Sequence, residues 1–191
     1  MPIITRELLK LSDDFKAIRR AQHIGMARAV QRAGTTIKAE QSREIAQRLN
    51  LRAATIKNEL TVKRQPKPGT PEIVFAVKAR GVPLHEFGAR QGKRGVSVKV
   101  FKQGSRALLT AAWQAKRFGG KILGRVSASN RKQYGSPHVG RLPLKPLFGP
   151  NVLSQYITDT VQRRGADTWA RRIPIELERE LAFALKKAGF R

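Results

Sequence analysis

Residues 65–71 read QPKPGTP, and this short run constrains the fold more than any other feature of the chain. Proline lacks a backbone N–H and its ring clashes with the preceding helical turn, so three prolines and a glycine in seven residues cannot continue a helix. Whatever precedes residue 65 must end there, and a different kind of structure must follow. The sequence on either side agrees. Before the run, Phe15, Ile18, Met26, Val30, Ala33 and Ile37 recur near a 3.6-residue period, with Arg19, Arg20, Arg28 and Arg32 mostly off that stripe. After it, Ile73, Phe75 and Val77 alternate with their neighbours, and Val96, Val98 and Val100 oppose Ser97, Lys99 and Lys102 in a period of two.

The N-terminal third is therefore expected to be helical. Ser12 is the expected N-cap, with Asp13 and Asp14 in the first turn. Gly34-Thr35-Thr36 is expected to break or kink the helix, and a second helical stretch to run through Ile45, Leu49, Ile56 and Leu60. Strands are expected within 72–79, 95–102 and 122–126, with an exposed loop or long hairpin arm at 80–95. Residues 105–116 read as a short helix or an irregular piece, and 127–140 as a basic loop. Pro143 and Pro146 restrict the stretch around Leu142, Leu144 and Leu147 to an edge strand or extended segment. Helix returns after Pro150-Asn151, is expected to close at Gly165, and restarts at Pro174 with Leu177, Leu181 and Leu185 until Gly189. The order of elements predicts an α+β fold: N-terminal helices, a small mostly antiparallel sheet with long basic loops, and C-terminal helices. The regions are 1–64, 65–149 and 150–191, read as one domain overall.

Charge decides the class of partner. The chain has 39 Lys and Arg against 13 Asp and Glu, a net +26. Residues 80–146 hold fifteen of those bases and one acid, Glu86. Such a field repels itself in a compact monomer and attracts polyanions. The best candidates for contact with phosphate or an acidic protein are Arg90, Lys93, Arg94, Lys116, Arg117, Lys121, Arg131 and Lys132. The first fifteen residues have no long apolar run, so no secretory signal and no membrane partner are expected.

Reactive chemistry finds few residues to use. There is no cysteine, and His23, His85 and His138 are widely separated. His85-Glu86 begins like a zinc-protease motif, but the helical partner position is Ala89. The run from Gly88 to Arg94 has three residues between its glycines where a phosphate-binding P-loop has four, and Arg follows its lysine. The expectation is a non-enzyme with no catalytic, metal or cofactor-binding residues and no cofactor.

Two resemblances bear on function. Residues 44–60, EIAQRLNLRAATIKNEL, resemble a helix-turn-helix, with Asn50 in the turn and Ala54, Thr55, Ile56 and Lys57 opening a recognition helix. This is the alternative reading: a DNA-binding regulator. More of the chain is covered by the second. Residues 106–156 include Ala111-Ala112-Trp113-Gln114-Ala115, then Gly119-Gly120-Lys121-Ile122-Leu123-Gly124-Arg125, then Arg141-Leu142-Pro143-Leu144-Lys145-Pro146-Leu147-Phe148-Gly149-Pro150-Asn151-Val152. These segments resemble the minor tail protein Z family of lambda-like bacteriophages and prophages. Trp113, Arg125, Arg141, Pro143, Gly149 and Pro150 carry the likeness, while Trp113 and Asn151 depart from the Phe and Ser common there. The resemblance implies a structural protein of the virion, made in the bacterial host cytoplasm and acting in tail completion near the head-proximal end. It also implies a homo-oligomeric ring, with six copies as first guess, partnered by other tail proteins. In that role the basic surface is expected to face either the DNA channel, through non-specific phosphate contacts, or acidic tail subunits.

Overall fold

The computed structural model describes residues 3–125 and 144–190. The fold is α+β, and its contacts divide the chain into two compact units, each assembled from separated stretches of sequence.

The first unit comprises Met1–Gln41, Leu60–Ala76 and Asp159–Arg191. Helix α1 (Ile3–Arg48) enters it and helix α4 (Asp159–Lys187) completes it. The two run antiparallel: Gly25 meets Leu181, and Gln41 meets Gly165. Small buried side chains lie along both helices, Ala21, Ala29 and Ala33 on α1 and Ala184 on α4. Ser12 is not a cap but lies inside α1, and Gly34-Thr35-Thr36 does not break it. The surrounding Ala, Arg, Gln and Glu are strong helix formers that carry the helix through one glycine. Gly34 gives Ile73 room: a Cβ there would lie 2.3 Å from Cδ1, the tip of that side chain, which would have to shift. Thr35 and Thr36 satisfy their hydroxyls on the carbonyls of Gln31 and Arg32, one turn back. Gly165 likewise does not end a helix; it lies buried within α4, where a Cβ would be 2.4 Å from Gln41 Nε2. Pro174 also falls inside α4, on its solvent side, instead of starting a new helix.

The QPKPGTP run is the turn of a hairpin between β1 (Leu60–Arg64) and β2 (Val74–Val77). Lys67 and Thr70 exchange backbone hydrogen bonds of 3.1 and 3.0 Å around Pro68-Gly69, with Gly69 at φ 86°. Pro then Gly with positive φ is the type II turn pattern. Leu60, expected on a helix, instead opens β1 with its side chain wholly buried.

The second unit comprises Ser42–Glu59 and Val77–Thr158. It holds α2 (Ala53–Glu59), α3 (Val152–Tyr156) and three small antiparallel sheets. One pairs β3 (Gly81–Pro83) with β10 (Phe148–Asn151). A second runs β4 (Arg90–Gly92), β5 (Gly95–Val98), β6 (Ala107–Leu109). A third runs β7 (Ala112–Ala115), β8 (Lys121–Arg125), β9 (Leu144–Pro146). Residues 105–116 thus supply two strands, β6 and β7, where helix or irregular structure was expected; β6 pairs with β5 and β7 with β8, and strands of three and four residues are too short to display a period of two. Residues 80–95 contain a strand, a 3₁₀ helix at Leu84–Phe87 and a short hairpin instead of a long arm. Phe87, Ile45, Leu49, Ile56, Val96, Ile122 and Val152 are fully buried and form the core. Asn151 caps α3, its Oδ1 accepting from Ser154 N at 2.9 Å, as expected for a helix opening after Pro150. The 127–140 loop lies outside the described residues.

Candidate polyanion interface

The charge falls mainly on the second unit. Its segments carry twenty Lys and Arg against three acids, so +17 of the net +26 resides there. Two of the three acids are already engaged. Glu59, largely buried, faces Lys78 at 3.7 Å and Arg80 at 3.6 Å. Glu86 accepts from the Thr55 hydroxyl at 3.0 Å and lies 3.4 Å from His85.

The six described candidate cations sit on two hairpins. Arg90 is on β4, and Lys93-Arg94 form the two-residue loop between Gly92 and Gly95. Gly95 has φ 135°, and any side chain there would strike Leu109 O, so this tight turn requires glycine. Lys116 and Arg117 lie on a single 3₁₀ turn that closes the β7–β8 hairpin, and Lys121 opens β8. Gly119 and Gly120, with φ 65° and 73°, reverse the chain there. All six side chains are exposed, and among the described residues none has an acidic partner. Arg131 and Lys132 lie outside the described residues.

Gln91 ties the two hairpins together. Its Oε1 accepts from Gln114 N on β7 at 2.8 Å, while its Nε2 donates to Gly92 O at 3.0 Å and Gly95 O at 3.3 Å. Arg106 fastens the other end of the first hairpin, donating to Gly88 O at 2.7 Å and Ser97 O at 2.9 Å. Its guanidinium is therefore a staple, unlike the free cations at the tips. Sequence reading missed both residues: a glutamine in a basic stretch carries no signal of a contact made 23 residues away.

The residues of the family likeness are spread along a seam. Leu147 donates to Ile122 O on β8 at 2.9 Å and accepts from Leu84 N at 3.1 Å, joining the third sheet to the 3₁₀ turn after β3. Gly149 and Pro150 follow on β10, half-buried, and Trp113 is half-buried on β7 opposite Leu123. Arg125 ends β8, but its side chain, like Arg141 and Pro143, lies outside the described residues.

In the helix-turn-helix segment, α1 ends at Arg48 and α2 has only seven residues. Asn50 does not take a left-handed turn; no described residue other than glycine has positive φ. Instead its Nδ2 donates to Phe87 O at 3.3 Å and Lys99 O at 3.0 Å, and its backbone N to Val100 O at 2.8 Å. Ile56 is fully buried and Thr55 is bonded to Glu86, leaving Ala54 and Lys57 exposed.

Among the described residues no three His, Asp or Glu side chains lie close enough to hold a metal ion, and no helix is long and apolar enough to cross a membrane. Fold and surface define a basic α+β protein whose unpaired cations are set on two linked hairpin tips. No family model, no curated protein and no solved structure matches the chain.

Proposed function

We propose that the chain is a structural subunit of a bacteriophage tail: a minor tail or tail-completion protein that forms a ring near the head-proximal end of the tail tube. Its partners are other copies of itself and neighbouring tail proteins. Its place is the virion, after synthesis in the host cytoplasm. The basic hairpin tips face the DNA channel or acidic tail subunits.

The observation that carries this reading is the pair of linked tips, Lys93-Arg94 and Lys116-Arg117, which expose cations with no carboxylate partner among the described residues. Contacts of this kind are made to phosphates by charge alone, so they carry no sequence information and loosen with salt. That suits a conduit, which must hold DNA and still let it move. The likeness of residues 141–152 to the tail family supports the same placement, and Gly149 in that stretch has a packing role that only glycine fills. The regulator alternative has less support, because Thr55 and Ile56, two of the residues a recognition helix would present, are engaged within the protein.

Electron microscopy tests the proposal. Purified protein is expected to show closed rings, and virions lacking it are expected to have tails that fail to join heads productively. A two-fold dimer bound to a palindromic duplex would overturn it.

A further inference from the structure

A concavity of the first unit, about 840 Å³, is lined by α1, α4 and the β1–β2 turn. Ile24, Ala27 and Phe183 make its wall apolar, while Arg28, Arg32 and Arg179 make it cationic. Phe183 is 53% exposed there, and the Arg28 guanidinium lies 5.7 Å from its ring centroid. Arg32 and Arg179 are paired with Glu180, whereas Arg28 has no carboxylate partner among the described residues. The groove thus offers an apolar floor and one uncompensated cation.

The N-terminal end of α1 offers the complement. Leu8, Leu11 and Phe15 follow one another at i, i+3 and i+7 and are 60, 52 and 63% exposed. Such spacing places them on one face. Glu7 and Asp14 border that face, and neither has an ion-pair partner among the described residues, while Asp13 is taken by Lys16 at 3.1 Å. An apolar stripe edged with free acids matches an apolar groove edged with a free arginine.

The two cannot meet within one molecule. Leu11 and Arg28 are seventeen residues apart on one unbroken helix, a separation of about 26 Å. At 3.6 residues per turn, the stripe also points about 150° away from the groove-lining residues of α1. A helix that carries a knob at one end and a socket further along its opposite side can satisfy both only with neighbours. Such an interface is heterologous, and its repetition closes a ring or runs on as a filament. We infer that the stripe from Glu7 to Phe15 of one copy docks in the Arg28–Phe183 groove of the next. This takes the ring-forming part of the proposed function and names its interface.

The two halves can be broken separately. Leu11→Asp with Phe15→Asp removes the stripe; Arg28→Glu with Phe183→Ser removes the groove. All four side chains are exposed, and circular dichroism checks that each variant keeps its helices. By light scattering after size exclusion, the parent chain is expected to be an oligomer and each variant a 21.3 kDa monomer. An equimolar mixture of the two variants is expected to give a dimer of twice that mass, because one intact stripe meets one intact groove. A monomeric parent, variants as oligomeric as the parent, or a mixture that stays monomeric would each overturn the inference. As an independent measurement, Leu11→Cys with Phe183→Cys in this cysteine-free chain is expected to form a ladder of disulfide-linked multimers on oxidation. Equal cross-linking by Leu11→Cys alone would indicate a symmetric helix pairing and overturn it too. Failure of this interface is distinct from failure of the tail role. Rings that persist in both variants sink the docking and leave the tail role standing; a mixture that pairs, with virions intact when the protein is absent, does the reverse.

Discussion

Gly149 lies against the ring of Phe87: a Cβ on residue 149 would meet Phe87 Cε2 at 2.6 Å and Leu84 Cδ2 at 3.1 Å. Phe87 is wholly buried and cannot swing aside, so β10 reaches β3 only because position 149 has no side chain. Overpacking a core of this kind costs about 1–3 kcal/mol. Gly149→Ala is expected to lower stability by that amount, read as a reduced urea midpoint at unchanged slope. A variant as stable as the parent would show that the Phe87 pocket yields, and that the glycine is not required by packing.

Glu180 is 4% exposed and faces two arginines, Arg32 Nε at 2.7 Å and Arg179 Nη2 at 3.8 Å. Arg179 also reaches Glu176 at 2.5 Å. Both guanidinium side chains are more than half exposed, so either pair alone is weakened by solvent. Arg32→Ala or Arg179→Ala singly is expected to cost about 1 kcal/mol or less, because the remaining arginine still serves the buried carboxylate. The double variant strands it, and a buried charge without a partner costs about 3 kcal/mol. The non-additivity is the signature, measured as a double-mutant cycle in chemical denaturation. Strictly additive losses would mean that the two arginines do not share Glu180.

The parts of the fold legible in the sequence were those with local causes. The period-two alternation around Val96 and Val98 became β5, and Pro150-Asn151 opened α3 through an Asn cap. Glycine and proline proved ambiguous, because each has two physical uses. Gly34 and Gly165 read as helix ends, yet they serve close approach of Ile73 and Gln41 inside unbroken helices. Pro174 read as a first helical position, yet it sits on the exposed side of α4, where the long helix continues past it. QPKPGTP marks a place where no helix continues, and its prolines and glycine build a hairpin turn whose strands are far less conspicuous than the turn itself. The strands β6 and β7 were illegible because they have only three and four residues, too few to display alternation. The Gln91–Gln114 contact was illegible because it joins two separate hairpins. The exposed cations of the candidate interface were visible from composition. Their grouping on two linked hairpins was not, since it follows from turns and from one glutamine side chain.

That glutamine gives a test of whether the two tips act together. Gln91 makes three hydrogen bonds and replaces no charge, so Gln91→Ala is expected to cost about 1 kcal/mol in stability. Its larger expected effect is on order: amide hydrogen exchange at Gln114 and along the β4–β5 turn should quicken, while the core strand β8 stays protected. Unchanged exchange at Gln114 would mean that the hairpins are held together by other contacts.

On the proposed reading, the tips bind phosphate by charge alone, and salt dependence measures how many of them do so. Each phosphate contact contributes about −0.9 to the slope of log K against log salt for duplex DNA. Replacing Lys93, Arg94, Lys116 and Arg117 together with Gln is expected to flatten that slope by about 3 to 4, by fluorescence anisotropy across a salt series. Affinity should fall equally for any duplex, and the parent should separate one sequence from a scrambled one by no more than about threefold, where a specific regulator discriminates by about 10³ or more. Thr55→Ala with Lys57→Ala should leave that lack of preference unchanged, because Thr55 already spends its hydroxyl on Glu86. A slope unaffected by the four tip substitutions would remove the tips from the interface. A strong preference for one sequence, lost with Thr55 and Lys57, would shift the assignment to the short helix α2.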